Sequence, residues 1–162
     1  MNYRKAALTV IICLVCVLLA RPQSPTTSTE QQIINILNSM DRAARRRDVA
    51  GMMAPLADDV KIRLTVSASN SNEKKVLSFT KEEYVHYTKI AFKGRFKYAL
   101  ERKNIKVQVY DEGKAALVTS ALYESISTSR VVVRMVTSES LYLTESDGRL
   151  LVRSMESDSR LY

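Results

Sequence analysis

Glu124, Glu139 and Glu156 are the residues of this sequence best placed to do chemistry. Each falls in a long stretch of alternating apolar residues, where strand register decides what faces what. With residues 127–130 as a four-residue turn, Ile126 pairs with Val131, Glu124 with Val133 and Ser120 with Thr137. One parity then gathers Val118, Leu122, Ile126, Val133, Met135 and Leu141 with Ser120, Glu124, Thr137 and Glu139. A tight turn at Asp147–Gly148 adds Glu156 opposite Glu139. Carboxylates facing each other across a ladder repel unless one is protonated or a cation intervenes. Arg102 is the expected cation, with Arg134 or Arg153 taking the role if the register slips. A glutamate of raised pKa beside Tyr98 or Tyr84 would be a proton-transfer site. The same glutamates near strand ends, paired with arginine, would only support the fold. The second outcome is the one expected, which leaves Glu124 and Glu139 as minor catalytic candidates. The residues expected to touch a ligand are Tyr84, Tyr87, Tyr98, Arg102, Glu124, Met135 and Glu139. The tyrosines qualify because a phenol packs and hydrogen-bonds at once.

The other reactive residue types exclude whole classes of function. There is one His and no Trp, so a zinc site built from several histidines is excluded. Both cysteines, Cys13 and Cys16, precede residue 21. Residues 21–162 therefore offer no disulfide, thiolate metal site or cysteine nucleophile. His86 lies on a helix flank and reads as a solvated side chain. Asp58 and Asp59 point apart if they lie on a strand, so they read as a turn feature rather than a ligand pair. Arg45, Arg46 and Arg47 close a helix, where cations favour the dipole. That account is preferred to a binding patch. No metal and no cofactor is expected.

These side chains need a scaffold, and 162 residues suffice for one domain with a core. With 46% hydrophobic and 26% charged residues, the composition is that of a folded domain. The net charge is +8; without Arg4 and Lys5 it is +6 over residues 21–162. The excess is spread along the chain, which implies a mild preference for anionic surfaces and no nucleic-acid partner. Residues 1–20 combine a basic start, an uncharged apolar run and a small residue at Ala20, as a secretory signal peptide does. The alternative is an uncleaved inner-membrane anchor over residues 6–20, although that run is shorter than a spanning helix needs. Residues 21–29 (RPQSPTTST) read as an extended, disordered linker that supplies Ser28 or Thr29 as a helix cap.

From residue 30 the elements follow in order. Residues 30–47 carry Ile33, Ile34, Leu37, Met40 and Ala44 as one helical stripe, with Asn38, Asp41, Arg42 and Arg45 on the other side. Asp48 caps a short second helix that Pro55 ends. Val60, Ile62, Leu64 and Val66 alternate as a half-buried strand, with residues 75–79 as its hairpin partner. Thr80 and Glu83 form a capping box ahead of a helix that reaches about residue 93. Residues 95–110 change parity near residues 102–104, the mark of a bulge that bends a long strand. Residues 114–126, 131–145 and 150–159 complete a four-stranded meander.

The stretches IINILNSMDRAARRRDVAGMM, LADDVKI, TKEEYVHY and ESLYLTESDGRLLVRSMES carry a resemblance over residues 30–162. In this order they resemble the nuclear transport factor two-like superfamily, which includes ketosteroid-isomerase-like and SnoaL-like proteins. The resemblance implies an α+β, cone-shaped fold, in which a strongly bent antiparallel sheet wraps around N-terminal helices. It also implies a pocket in the cone and a tendency to dimerise through the outer sheet face, here Val132, Val136, Tyr142 and Leu151. The superfamily's isomerase site has an acidic base deep in the cone and a Tyr–acid oxyanion hole. Those positions do not map residue by residue onto this chain. The expectation is an exported, periplasmic or secreted, non-catalytic domain that binds a small apolar ligand or serves as a homodimeric scaffold. The alternatives are an isomerase- or cyclase-like enzyme with a glutamate base, and an anchored component of a secretion-type machine.

Overall fold

The computed structural model describes residues 28–71 and 73–162. The expected export segment, residues 1–20, and residues 21–27 of the expected linker lie outside the described residues. Helix α1 spans Ser28–Arg46 and takes in the last two linker residues. It buries Ile33, Leu37, Ala43 and Ala44, and also Asp41, which the periodicity had assigned to the polar side. Helix α2 (Val49–Met53) starts at Asp48, whose carboxylate accepts from the Gly51 amide. This satisfies one of the unpaired donors of a helix start.

Strand β1 (Leu56–Ala68) pairs antiparallel with β2 (Lys74–Phe79), as the hairpin reading expects. Helix α3 (Lys81–Ala91) follows with the capping box complete: Thr80 Oγ1 accepts from the Glu83 amide, and Glu83 accepts from the Thr80 amide. Strands β3 (Lys97–Tyr110), β4 (Ala115–Ser127), β5 (Val132–Ser146) and β6 (Arg149–Leu161) then form the meander. The six strands make one sheet in the order β2-β1-β6-β5-β4-β3. It is mixed rather than purely antiparallel, because β1 runs parallel to β6. The chain leaves the β1–β2 hairpin, crosses through α3 to the far edge at β3, and meanders back until β6 lies against β1.

Bulges set the curvature and the facing of side chains. In β3 the register shifts between Lys103 and Lys106, with Asn104 at φ 54°, where the sequence changes parity. In β6 it shifts opposite Tyr142 and Leu143. The turn between β4 and β5 lies one residue later than expected, at residues 128–131. Thr128 Oγ1 closes it by accepting from the Arg130 and Val131 amides. Ile126 therefore pairs with Val133, Glu124 with Met135 and Ser120 with Glu139. Each pairing moves by two residues, so the facing survives. The core lies between α1, α2 and the concave face, with Ile33, Leu37 and Met53 against Val118, Leu141, Leu143, Val152 and Met155.

Candidate functional site

Two polar rows interrupt the concave face. The deeper one centres on Arg102, brought inward just before the β3 bulge. Its Nε donates to both Asp41 carboxylate oxygens at 3.2 and 3.1 Å, and its Nη2 donates to Asp41 at 2.9 Å. Its Nη1 donates to Ser120 Oγ at 2.7 Å and to Glu139. The side chains of Arg102, Asp41 and Glu139 are only 5%, 8% and 6% exposed. Burial opposes the guanidinium's charge. The Glu139 and Asp41 carboxylates more than offset it, so the Arg102 pKa is raised. One cation thus ties α1, β3, β4 and β5 together. It faces two carboxylates, which leaves this row negative.

The second row lies nearer the β4–β5 turn. Tyr98 donates to Glu124 Oε1 at 2.5 Å, and Thr137 Oγ1 lies 3.4 Å from Glu124 Oε2. Thr137 Oγ1 is 2.8 Å from Ser159 Oγ. The chain of groups crosses β3, β4, β5 and β6, diagonally from Tyr98 to Glu124 and from Glu124 to Thr137, and directly across the ladder from Thr137 to Ser159. Glu124 has no salt bridge among the described residues. Burial raises its pKa; the Tyr98 and Thr137 hydrogen bonds oppose the rise, and Glu139 adds to it. Burial likewise raises the Tyr98 phenol, and the Glu124 carboxylate raises it further. Around this row Leu100, Val133 and Met135 stay partly exposed and Ile126 is 37% exposed, so the apolar lining here is unfinished.

The predicted residues divide accordingly. Arg102 and Glu139 belong to the deeper row, Tyr98 and Glu124 to the outer one, and Met135 is the ladder partner of Glu124. Tyr84 reaches the same region from α3, its phenol raised by burial first and then by Glu139 and Glu124. Tyr87 is 44% exposed and stacks on Phe79 with centroids 5.1 Å apart. Glu156 is exposed and pairs with Ser140, because the β6 bulge turns it outward; Ser157 stands opposite Glu139 instead. Asp58 and Asp59 lie on β1 rather than in a turn, and they bind Lys81 and Arg153 separately. His86 is exposed.

Asp41 and Ser159 are the site residues the sequence reading missed. Asp41 follows Ile33 and Leu37 at intervals of four, which places it at the edge of the buried stripe. Arg45 donates to the Leu100 carbonyl and Arg47 to that of Gly94, with the Arg47 guanidinium 4.0 Å over the Phe96 ring. They clamp α1 to β3 and its approach. A cleft of about 600 Å³ lies elsewhere, lined by β1, β2 and the start of α3. Asp58, Asp59 and, from β6, Ser154 and Glu156 border it, and none of the residues expected to touch a ligand does. Among the described residues, no group of three or more His, Cys, Asp and Glu could hold a metal ion.

A bent sheet closed over helices, with a polar patch on its concave face, defines the nuclear transport factor two-like fold, and this chain has it. Solved structures agree. A conserved protein from Planctomyces limnophilus DSM 3776 superposes with a TM-score of 0.65 at 16% identity, covering 82% of this chain and 97% of that one. An NTF2-like protein of unknown function from Pseudomonas putida KT2440 gives 0.60 at 16% identity over 81% and 86%. An NTF2-like protein of unknown function in nutrient uptake from Rhodospirillum rubrum ATCC 11170 gives 0.57 at 13% identity over 78% and 96%. No family model matches the chain, and no curated protein matches it in sequence.

Proposed function

We propose that this is an exported, non-catalytic binding domain whose outer row receives a small ligand with an apolar body and a neutral or cationic hydrogen-bond donor. The observation that carries the reading is how the two rows differ. Arg102 is enclosed by Asp41, Glu139 and Ser120, so it has little left for an anionic ligand. Glu124 has no cation partner among the described residues and sits beside the incompletely covered Leu100, Val133 and Met135. A carboxylate accepts and does not donate when ionised. A ligand amine or hydroxyl would add a donor beside those of Tyr98 and Thr137, and an apolar body would cover the remaining surface. The Rhodospirillum rubrum neighbour, described in connection with nutrient uptake, is consistent with such a role.

Two further readings have a specific observation each. A glutamate of raised pKa, hydrogen-bonded to a tyrosine, supports proton transfer at Glu124. Outside the sheet, Tyr123 pairs with Val136 beside the exposed Val132 and Tyr142, which supports an isologous dimer. Native mass spectrometry of the protein taken from its own compartment tests the whole reading. The expected spectrum shows a mature chain starting near Arg21, a dimer, and a neutral or cationic ligand that Glu124→Gln releases. An anionic ligand, or a ligand retained by Glu124→Gln, would overturn the binding reading.

A further inference from the structure

We infer that the end of the sheet nearer Glu124 is a docking surface for an anionic lipid membrane. Topology sorts charge between the two ends of the molecule. At the far end, where β3 meets β4 and β5 meets β6, Asp58, Asp59, Asp111, Glu112, Glu145 and Asp147 outnumber the cations Lys81, Lys114, Arg149 and Arg153, and Lys81 and Arg153 bind Asp58 and Asp59. At the near end stand Lys93, Arg95, Lys97, Arg130 and Arg134, all exposed. Lys97 pairs with Ser127 in the β3–β4 ladder, which joins the approach to β3 with the β4–β5 turn. Residues 93–98 and 125–134 contain no acidic residue. None of these five cations has a salt bridge among the described residues. Helix α1 points its C-terminus the same way and adds the exposed Arg46.

Exposed apolar side chains stand among these cations: Val131 at 57%, Ile90 at 53% and Ile126 at 37%. Cations alone would suit any polyanion. Cations interleaved with apolar tips suit a bilayer interface, where the tips enter the headgroup region and the charges meet lipid phosphates. No described helix is long and apolar enough to cross a membrane, so the contact is peripheral. It uses the folded domain, and it stands whether or not residues 1–20 stay attached. It also stands apart from the ligand reading, since it rests on surface charge and not on the Glu124 row.

The sequence contains no Trp, so a single introduced one is an unambiguous reporter. Val131→Trp places it at the near end, and Glu145→Trp places it at the far end. Each full-length variant is mixed with vesicles of phosphatidylcholine, with or without phosphatidylglycerol, and quenched by brominated lipid. Far-ultraviolet dichroism confirms that each is folded. Val131→Trp is expected to shift to the blue and be quenched only when phosphatidylglycerol is present, and to lose both effects in high salt. Glu145→Trp should do neither. Lys93→Ala, Lys97→Ala and Arg130→Ala together, in the Val131→Trp chain, should weaken partitioning on the order of a hundredfold, from roughly fivefold per cation near the surface. Equal quenching by neutral vesicles, equal quenching at Glu145→Trp, full binding by the triple variant, or no contact at all would each overturn the proposal. So would binding of Val131→Trp to heparin with neither a blue shift nor quenching on phosphatidylglycerol vesicles, which would assign the surface to a soluble polyanion.

Discussion

Arg102 and Glu124 lie on the same concave face and do opposite things. Arg102 is enclosed by its partners, and removing it strands two buried carboxylates. Breaking a buried pair from one side costs roughly 3–5 kcal/mol, whereas replacing the whole group by apolar residues can be nearly neutral. Arg102→Leu should therefore lower stability by about that amount in urea titrations. Adding Asp41→Leu and Glu139→Leu should restore most of it. Glu124 lacks such a partner, and burial raises its pKa above the ordinary value of 4.5. Above that value the unfolded chain releases this proton first, so the native state binds more protons and stability falls as pH rises. The window opens at 4.5 and extends upward to the raised value. Thermal melts across it should show the wild type losing stability relative to Glu124→Gln. A pH-independent difference between the two proteins would contradict the shift. From sequence, the glutamates and Arg102 were readable because parity assigns a face. Asp41 was not, because an acid at the edge of an apolar helical stripe reads as solvated until its cation is placed.

At the scale of elements, bulges decide which residues meet. The slip from Leu100 and Arg102 to Val107 and Val109 is visible in the alternation of β3, and the structure puts the irregularity there. The β6 slip was equally present, since Leu150 and Val152 are followed by Met155, an interval of two and then three. Reading β6 as one uninterrupted alternation is what faced Glu156 inward. The capping box on α3 and the Asp48 cap were legible because each is a short-range hydrogen-bond pattern. The parallel β1–β6 pairing was not, because no local signal specifies which strands become neighbours across the chain. Asn104 occupies the left-handed region at φ 54°, where asparagine is tolerated and β-branched residues are not. Asn104→Gly should be close to neutral. Asn104→Val should cost about 1–2 kcal/mol by the left-handed penalty, measured in urea. Equal stability of the two variants would show that the bulge can relocate.

At the scale of the molecule, two gradients run along the sheet. Apolar burial is complete near the β5–β6 turn, where Leu143 and Val152 are fully enclosed, and incomplete near the β4–β5 turn. Charge follows the same axis, from mixed with an acidic excess at the enclosed end to basic around the β4–β5 turn and the approach to β3. Composition gave the net +8 but not this division, because residues distant in sequence share an end only once the strands are paired. The fold class was legible for the opposite reason: the order of helices, hairpin and long bent strands is itself sequential information. Function was not legible in this way, because fold does not choose among functions. On the proposed reading, selectivity lies in which buried charges are already compensated.

The central claim is that the charge of Arg102 is compensated by partners within the protein, whereas Glu124 has hydrogen bonds but no cation partner among the described residues. Calorimetric titration with decylamine, decanol and decanoate, which share one apolar body and differ in head group, tests it most directly. The account predicts binding of the amine and the alcohol, exclusion of the carboxylate, and weakened binding of both the amine and the alcohol in Glu124→Gln. Binding of decanoate in preference to decylamine by the wild type would contradict it.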